Sequence, residues 1–100
     1  MTADTSDQRA GEATLAHLRD EIERIDRELI GLMAERVRLA RAVGNAKRSA
    51  GLPTLDTGRE AAVVRRAGEL AREAKCADED VRYIFWHLIG MCRRAQLGGE

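Results

Sequence analysis

Arg36 stands where an apolar residue belongs. From Leu15 onward the chain follows a heptad pattern: Leu15, Ile22, Leu29 and Val43 fall on one seam position, and Leu18, Ile25, Leu32, Leu39 and Ala46 on the other. The slot between Leu29 and Val43 holds Arg36. Lys47 follows after close to three full helical turns and so lies on nearly the same face, with a backbone separation of about 16 Å. A buried stripe that admits a cation must supply an anion to meet it. None of these seam positions is acidic, so the anion expected is a ligand. Further on, Arg59-Glu60 opens a second helical segment, where backbone N–H groups also favour anions. Gln96 extends an inward stripe of Phe85, Ile89 and Cys92. An arginine fork suits carboxylates. A lysine beside a neutral amide suits an oxygen that gains charge in a transition state.

The elements that carry these residues are helical. Hydrophobic residues make up 44% of the 100 positions but aromatics only 3%, the composition of an aliphatic helical core. Lys plus Arg and Asp plus Glu are 17 each, a balance that argues against nucleic-acid binding. No apolar run is long enough to span a membrane, and no signal-peptide core opens the chain. Cys76 and Cys92 have neither metal-binding spacing nor a disulfide framework, which fits a reduced, cytoplasmic setting. Residues 1–13 lack apolar period and are expected to be a disordered lead-in. Residues 14–100 form one domain of three helices. The first runs from Thr14, as N-cap, to Ser49, and is ended by Gly51 and Pro53. The second covers Gly58 to Lys75, with Val63, Val64, Ala67, Leu70, Ala71 and Ala74 inward. The third covers Glu79 to Leu97, with Val81, Ile84, Phe85, Leu88, Ile89 and Cys92 inward. No strand signal is present.

The first helix, at roughly 35 residues, would be about 50 Å long, against a radius of gyration of about 13 Å for a compact chain of this size. It must protrude from a monomer, yet its seam is apolar nearly end to end. The economical solution is a dimer in which two long helices pack together and the shorter helices complete both cores.

Leu18-Arg19 with Ile25-Asp26, Ala34-Glu35-Arg36, Val43-Gly44-Asn45-Ala46-Lys47, Pro53 with Asp56, Arg59-Glu60 and then Gln96 together resemble the all-helical chorismate mutases, from about Leu15 to Leu97. The resemblance implies an all-α, intertwined homodimer with two identical sites. Arg36, Lys47, Arg59, Glu60 and Gln96 match the site positions of one protomer, and Arg19 matches an arginine that reaches in from the other. Asp56 matches a loop aspartate beside the substrate hydroxyl, and Glu60 a residue that contacts the ring hydroxyl. Arg36, Lys47 and Gln96 are the catalytic candidates, with the lysine and the glutamine addressing the ether oxygen. Cys92 departs from the serine of bacterial relatives, and a thiol is a weaker donor than a hydroxyl.

The implied reaction, the [3,3] rearrangement of chorismate to prephenate on the route to phenylalanine and tyrosine, uses no nucleophile, metal or cofactor. It asks the protein to select a compact conformer of a dicarboxylate and to stabilise charge on the breaking ether oxygen. The resemblance also makes another shikimate-pathway enzyme a candidate partner, and no nucleic acid or membrane. Two other readings compete. One is an isochorismate-pyruvate lyase of the same fold, against which Glu60 speaks, because lyases carry an apolar residue after the second-helix arginine. The other is a non-enzymatic dimerisation module, which leaves Arg36 and Gln96 unexplained. Taken singly, the residues have plainer roles. Thr57 and Glu60 fit a capping box, Lys47 a helix C-terminal cation, Arg19 an i,i+4 pair with Glu23, and Cys92 core filler.

Overall fold

A computed structural model describes residues 5–98. It contains α1 (Thr5–Ser49), α2 (Thr57–Glu73) and α3 (Asp78–Gln96), with no strand among the described residues. The protein is all-α, as expected. The chain divides into two units between Leu32 and Met33.

In the N-terminal unit the helix starts at Thr5, upstream of the expected cap at Thr14. Thr14 is an interior residue: its hydroxyl donates to the Ala10 carbonyl at 3.0 Å, the back-bond of a threonine within a helix. The segment from Asp7 to Ala13, expected to be disordered, is rich in Gln, Arg, Ala and Glu. Such residues extend a helix by propensity without any apolar face. The rest of the expected lead-in, residues 1–4, lies outside the described residues. Every described residue of this unit is exposed, including the seam residues Leu15, Leu18, Ile22, Ile25 and Leu29 at 45 to 57%. Glu23 pairs with Arg27 at 2.7 Å, so the pairing expected with Arg19 is not the one formed.

The C-terminal unit holds the end of α1 with α2 and α3. Three features end α1. Gly51 has φ +69°, the Gly51 N–H donates to the Arg48 carbonyl, and the Leu52 N–H donates to the Lys47 carbonyl at 2.8 Å. This is a Schellman cap, and it fixes the last turn that carries Lys47. Asp56, not Thr57, caps α2, its Oδ1 accepting the Arg59 N–H at 3.0 Å. Glu60 is thereby one position beyond the capping box expected from Thr57, and its carboxylate is left for other work. At the far end of α2 the same cap geometry recurs around Lys75, at φ +59°.

Val64, Ala67 and Ala71 of α2 and Ile89 of α3 are buried. Leu70 and Ile84, expected inward, are 51% and 63% exposed. The helices bury a narrower stripe than the periodicity suggests, because small residues at the contact bring them together along one line. Ala40 of α1 packs with Cys92 and Ala95 of α3, flanked by Val37. Gly44 takes the closest approach. A Cβ there would overlap the Gln96 carbonyl oxygen and lie 2.8 Å from its Cα. The end of α3 can rest on α1 only because position 44 has no side chain.

Candidate active site

The crossings of the C-terminal unit leave a cavity of about 520 Å³, lined by the polar residues Arg36, Lys47, Asp56, Arg59, Glu60 and Gln96 and by the sulfur of Cys92. Leu39, Ala40, Val43, Val63 and Ile89 supply an aliphatic wall. All three helices contribute. The structure therefore brings together seven of the eight residues singled out from the sequence. The eighth, Arg19, is exposed on the N-terminal unit and is not among the lining residues.

Lys47 and Gln96 form the polar centre of the cavity. The ammonium donates to the Thr54 carbonyl at 2.8 Å and to Gln96 Oε1 at 2.9 Å. An ammonium offers three N–H donors and no acceptor. Two are spent on holding the side chain, and the third is left for a ligand. Gln96 meets the lysine with its carbonyl oxygen, so its NH₂ donors are not spent on that contact. The tertiary structure makes Lys47 and Gln96 a single unit, held from behind by Arg48. That residue donates to the Gln96 main-chain carbonyl at 2.7 Å and to Asn45 Oδ1 at 2.6 Å.

Arg36 is half-buried, and its Nη1 lies 2.8 Å from the buried Cys92 sulfur. Cys92 thus acts as an acceptor toward the Arg36 guanidinium. A sulfur is a weak acceptor, so the arginine remains available to a better one. Arg59 is exposed at the mouth on the first turn of α2. Asp56, also exposed, has one carboxylate oxygen committed to capping that helix.

Glu60 is held by a residue that the sequence did not single out. Arg93 of α3 donates from Nε to Oε2 at 3.0 Å and from Nη2 to Oε1 at 2.5 Å. The hydrogen bonding by Arg93 holds the Glu60 carboxyl below the usual carboxylate range, burial opposes this, and the charges of Arg93 and Lys47 lower it further against Asp56. A carboxyl depressed by folding stabilises the fold at pH values above its ordinary pKa. That contribution is lost as pH falls through the depressed value. Arg93 lies three residues before Gln96 and so on nearly the same helical face, the one signal in the sequence that could have flagged it. Gly44 and Arg48 were likewise legible only as neighbours of Lys47.

The family model for chorismate mutase type II matches residues 18–97. The chain belongs to that family. Similar proteins include a 3-dehydroquinate dehydratase of Pyrobaculum aerophilum, 36% identical over 83% of this chain and 24% of its own length. The intracellular chorismate mutase of Mycobacterium tuberculosis is 36% identical over 58% of this chain and 55% of its own. A bifunctional chorismate mutase/prephenate dehydratase of Aquifex aeolicus is 33% identical over 78% of this chain and 22% of its own. The chain thus spans about a quarter to a half of the curated relatives it matches. Among solved structures, a conserved hypothetical protein from Pyrococcus furiosus superposes with a TM-score of 0.67 at 36% identity, covering 83% of this chain and 95% of that one.

The close approach at Gly44 yields a prediction. Gly44→Ala forces the end of α3 off α1 and with it the Gln96 amide. We expect it to cost about 1–3 kcal/mol of stability by overpacking and roughly 10²-fold in catalytic efficiency through displacement of Gln96. Denaturant unfolding reads the first effect, and steady-state kinetics on the substrate proposed below read the second. A variant as active as the parent would show that the placement of Gln96 does not depend on this contact.

Proposed function

We propose that this protein converts chorismate to prephenate. The observation that carries the reading is the joined pair of Lys47 and Gln96 at one side of a cavity with arginines around it and an aliphatic wall behind. Arg36 and Arg59 are suited to the two carboxylates of the substrate, and the wall of Leu39, Val43, Val63 and Ile89 to its carbon skeleton. Confinement in this shape selects the folded conformer in which the enolpyruvyl group lies over the ring. As the ether bond breaks, negative charge grows on its oxygen. The third N–H of Lys47 and the NH₂ of Gln96 converge there, preorganised by Thr54, Arg48 and each other. Glu60, ionised, accepts from the ring hydroxyl, with Asp56 beside it. No proton moves in the reaction, which matches a site built of donors and charge rather than of an acid–base pair.

The family match and this cavity support the reading. The dehydratase name belongs to a P. aerophilum protein of which this chain matches about a quarter. Assay of purified protein on chorismate and isochorismate side by side tests it. Prephenate formation from chorismate is the expected result, and pyruvate release from isochorismate would favour the lyase reading instead.

The working unit we infer is a homodimer. Leu15, Leu18, Ile22, Ile25 and Leu29 leave an apolar seam exposed along the N-terminal unit, and Arg19 stands on the same stretch of helix. A second copy covers that seam and brings its Arg19 to the substrate's carboxylates. We place the protein in the cytoplasm, a reducing setting that suits its two free thiols, Cys76 exposed and Cys92 buried. Arg19→Ala and Lys47→Ala subunits, each nearly inactive alone, are expected to regain up to about a quarter of parental activity when mixed in equal amounts. That figure is the order expected if half the dimers are mixed and each mixed dimer holds one intact site of two. Absence of recovery after verified subunit exchange would place Arg19 outside the site.

A further inference from the structure

We propose that Arg93 is a positioning residue: it clamps the Glu60 carboxylate through both oxygens and so keeps it fixed as an anionic acceptor beside the cavity cations Arg36, Lys47 and Arg59. The Glu60 role that it supports rests on the function proposed above.

The problem that Arg93 solves is one of competing partners. The charged groups around Glu60 are Arg36 and Lys47 from α1, Asp56 and Arg59 from the start of α2, and Arg93 from α3. A glutamate free to turn would pair with Lys47 or Arg59. Either pairing would cancel a cation that the substrate's carboxylates need, and Lys47 would lose the N–H meant for the ether oxygen. Arg93 is not among the residues that line the cavity. It holds the carboxylate from outside, through two hydrogen bonds in the side-on geometry of a guanidinium fork. The glutamate side chain is 16% exposed and the arginine 38%, so the clamp is partly shielded from water and its orientation is retained. An ionised carboxylate has about four lone-pair sites. Two are taken by Arg93, and the others remain for a hydroxyl donor in the cavity. The depression of the Glu60 pKa, caused first by the Arg93 hydrogen bond, accords with this arrangement.

The test combines a titration that needs no activity with kinetics that do. The Glu60 carboxyl is followed by NMR in ¹³C-glutamate-labelled parent, Arg93→Met and Arg93→Lys proteins, assigned by its loss in Glu60→Gln. The pH profile of kcat/KM on chorismate is recorded for the same set and for the Arg93→Met/Glu60→Gln double variant. In Arg93→Met we expect the Glu60 titration and the acidic limb of kcat/KM to move together to higher pH. We also expect a loss of roughly 10-fold in kcat/KM near neutrality, carried mainly by KM. Arg93→Lys should restore part of both. In the Glu60→Gln background, Arg93→Met should cost little more, because the two side chains act as one. An unmoved Glu60 titration in Arg93→Met, or a full additional loss in the Glu60→Gln background, overturns the proposal. Should Arg93→Met fail to fold, Arg93→Lys decides it: an upward move of the Glu60 titration supports the clamp and no move overturns it. A parent protein that leaves chorismate unchanged would overturn the proposed function instead, and the titration would still decide whether Arg93 sets the state of Glu60.

Discussion

Lys47→Ala is expected to lower kcat for chorismate by roughly 10²- to 10³-fold, the scale for removing a preorganised donor from a site of developing charge. The structure argues for the upper part of that range. Lys47 is held by Thr54 and Gln96, so its removal deletes one donor and also loosens the second, since Gln96 Oε1 loses the partner that fixes the amide. The loss should fall on kcat as well as kcat/KM, because the growing charge exists only in the transition state. Steady-state kinetics under saturating chorismate, with circular dichroism to confirm the helical fold, make the measurement. A rise in KM with kcat intact would reassign Lys47 to carboxylate binding alone.

Gln96→Glu is expected to convert a pH-insensitive donor into a pH-gated one. The amide donates at any ordinary pH, whereas a carboxyl donates only when protonated. The variant should be active below the pKa of the introduced carboxyl and lose activity as pH rises through it, while the parent shows no such descending limb. Lys47, at hydrogen-bond distance from this position, pulls that pKa down, and the half-buried setting together with the anionic Glu60 pushes it up. At pH values where the introduced group is ionised it also neutralises Lys47, so both donors to the ether oxygen fail together. The loss there should be roughly 10²-fold or more in the chemical step. Identical pH profiles for variant and parent would remove Gln96 from the ether oxygen.

The helices and most of the site residues were legible because helical period and cap chemistry are local properties. The seam of α1 exposed Arg36 as an anomaly, and Gly51 with Pro53 marked the end of the helix that carries Lys47. Local rules also misled where two of them competed. Thr57 and Asp56 are both good N-caps, and only the packed loop shows that Asp56 takes the role and so frees Glu60. The extension of α1 back to Thr5 follows from propensity without amphipathic pattern, and an apolar period cannot report that.

By itself the sequence determined three helices, most of the polar residues that line the cavity, and the family to which the set at this spacing belongs. The partnerships were decided by tertiary structure alone: Lys47 with Gln96, Arg36 with the Cys92 sulfur, and Arg93 with Glu60. Each joins residues more than 30 positions apart on different helices, at distances fixed by how closely those helices approach. For the two pairs between α1 and α3, that approach depends on Ala40, Gly44 and Ala95, whose lack of bulk lets α3 settle on α1. A pattern along the chain records which face a residue occupies. Which group across the gap its donors will reach depends on the distance between the backbones.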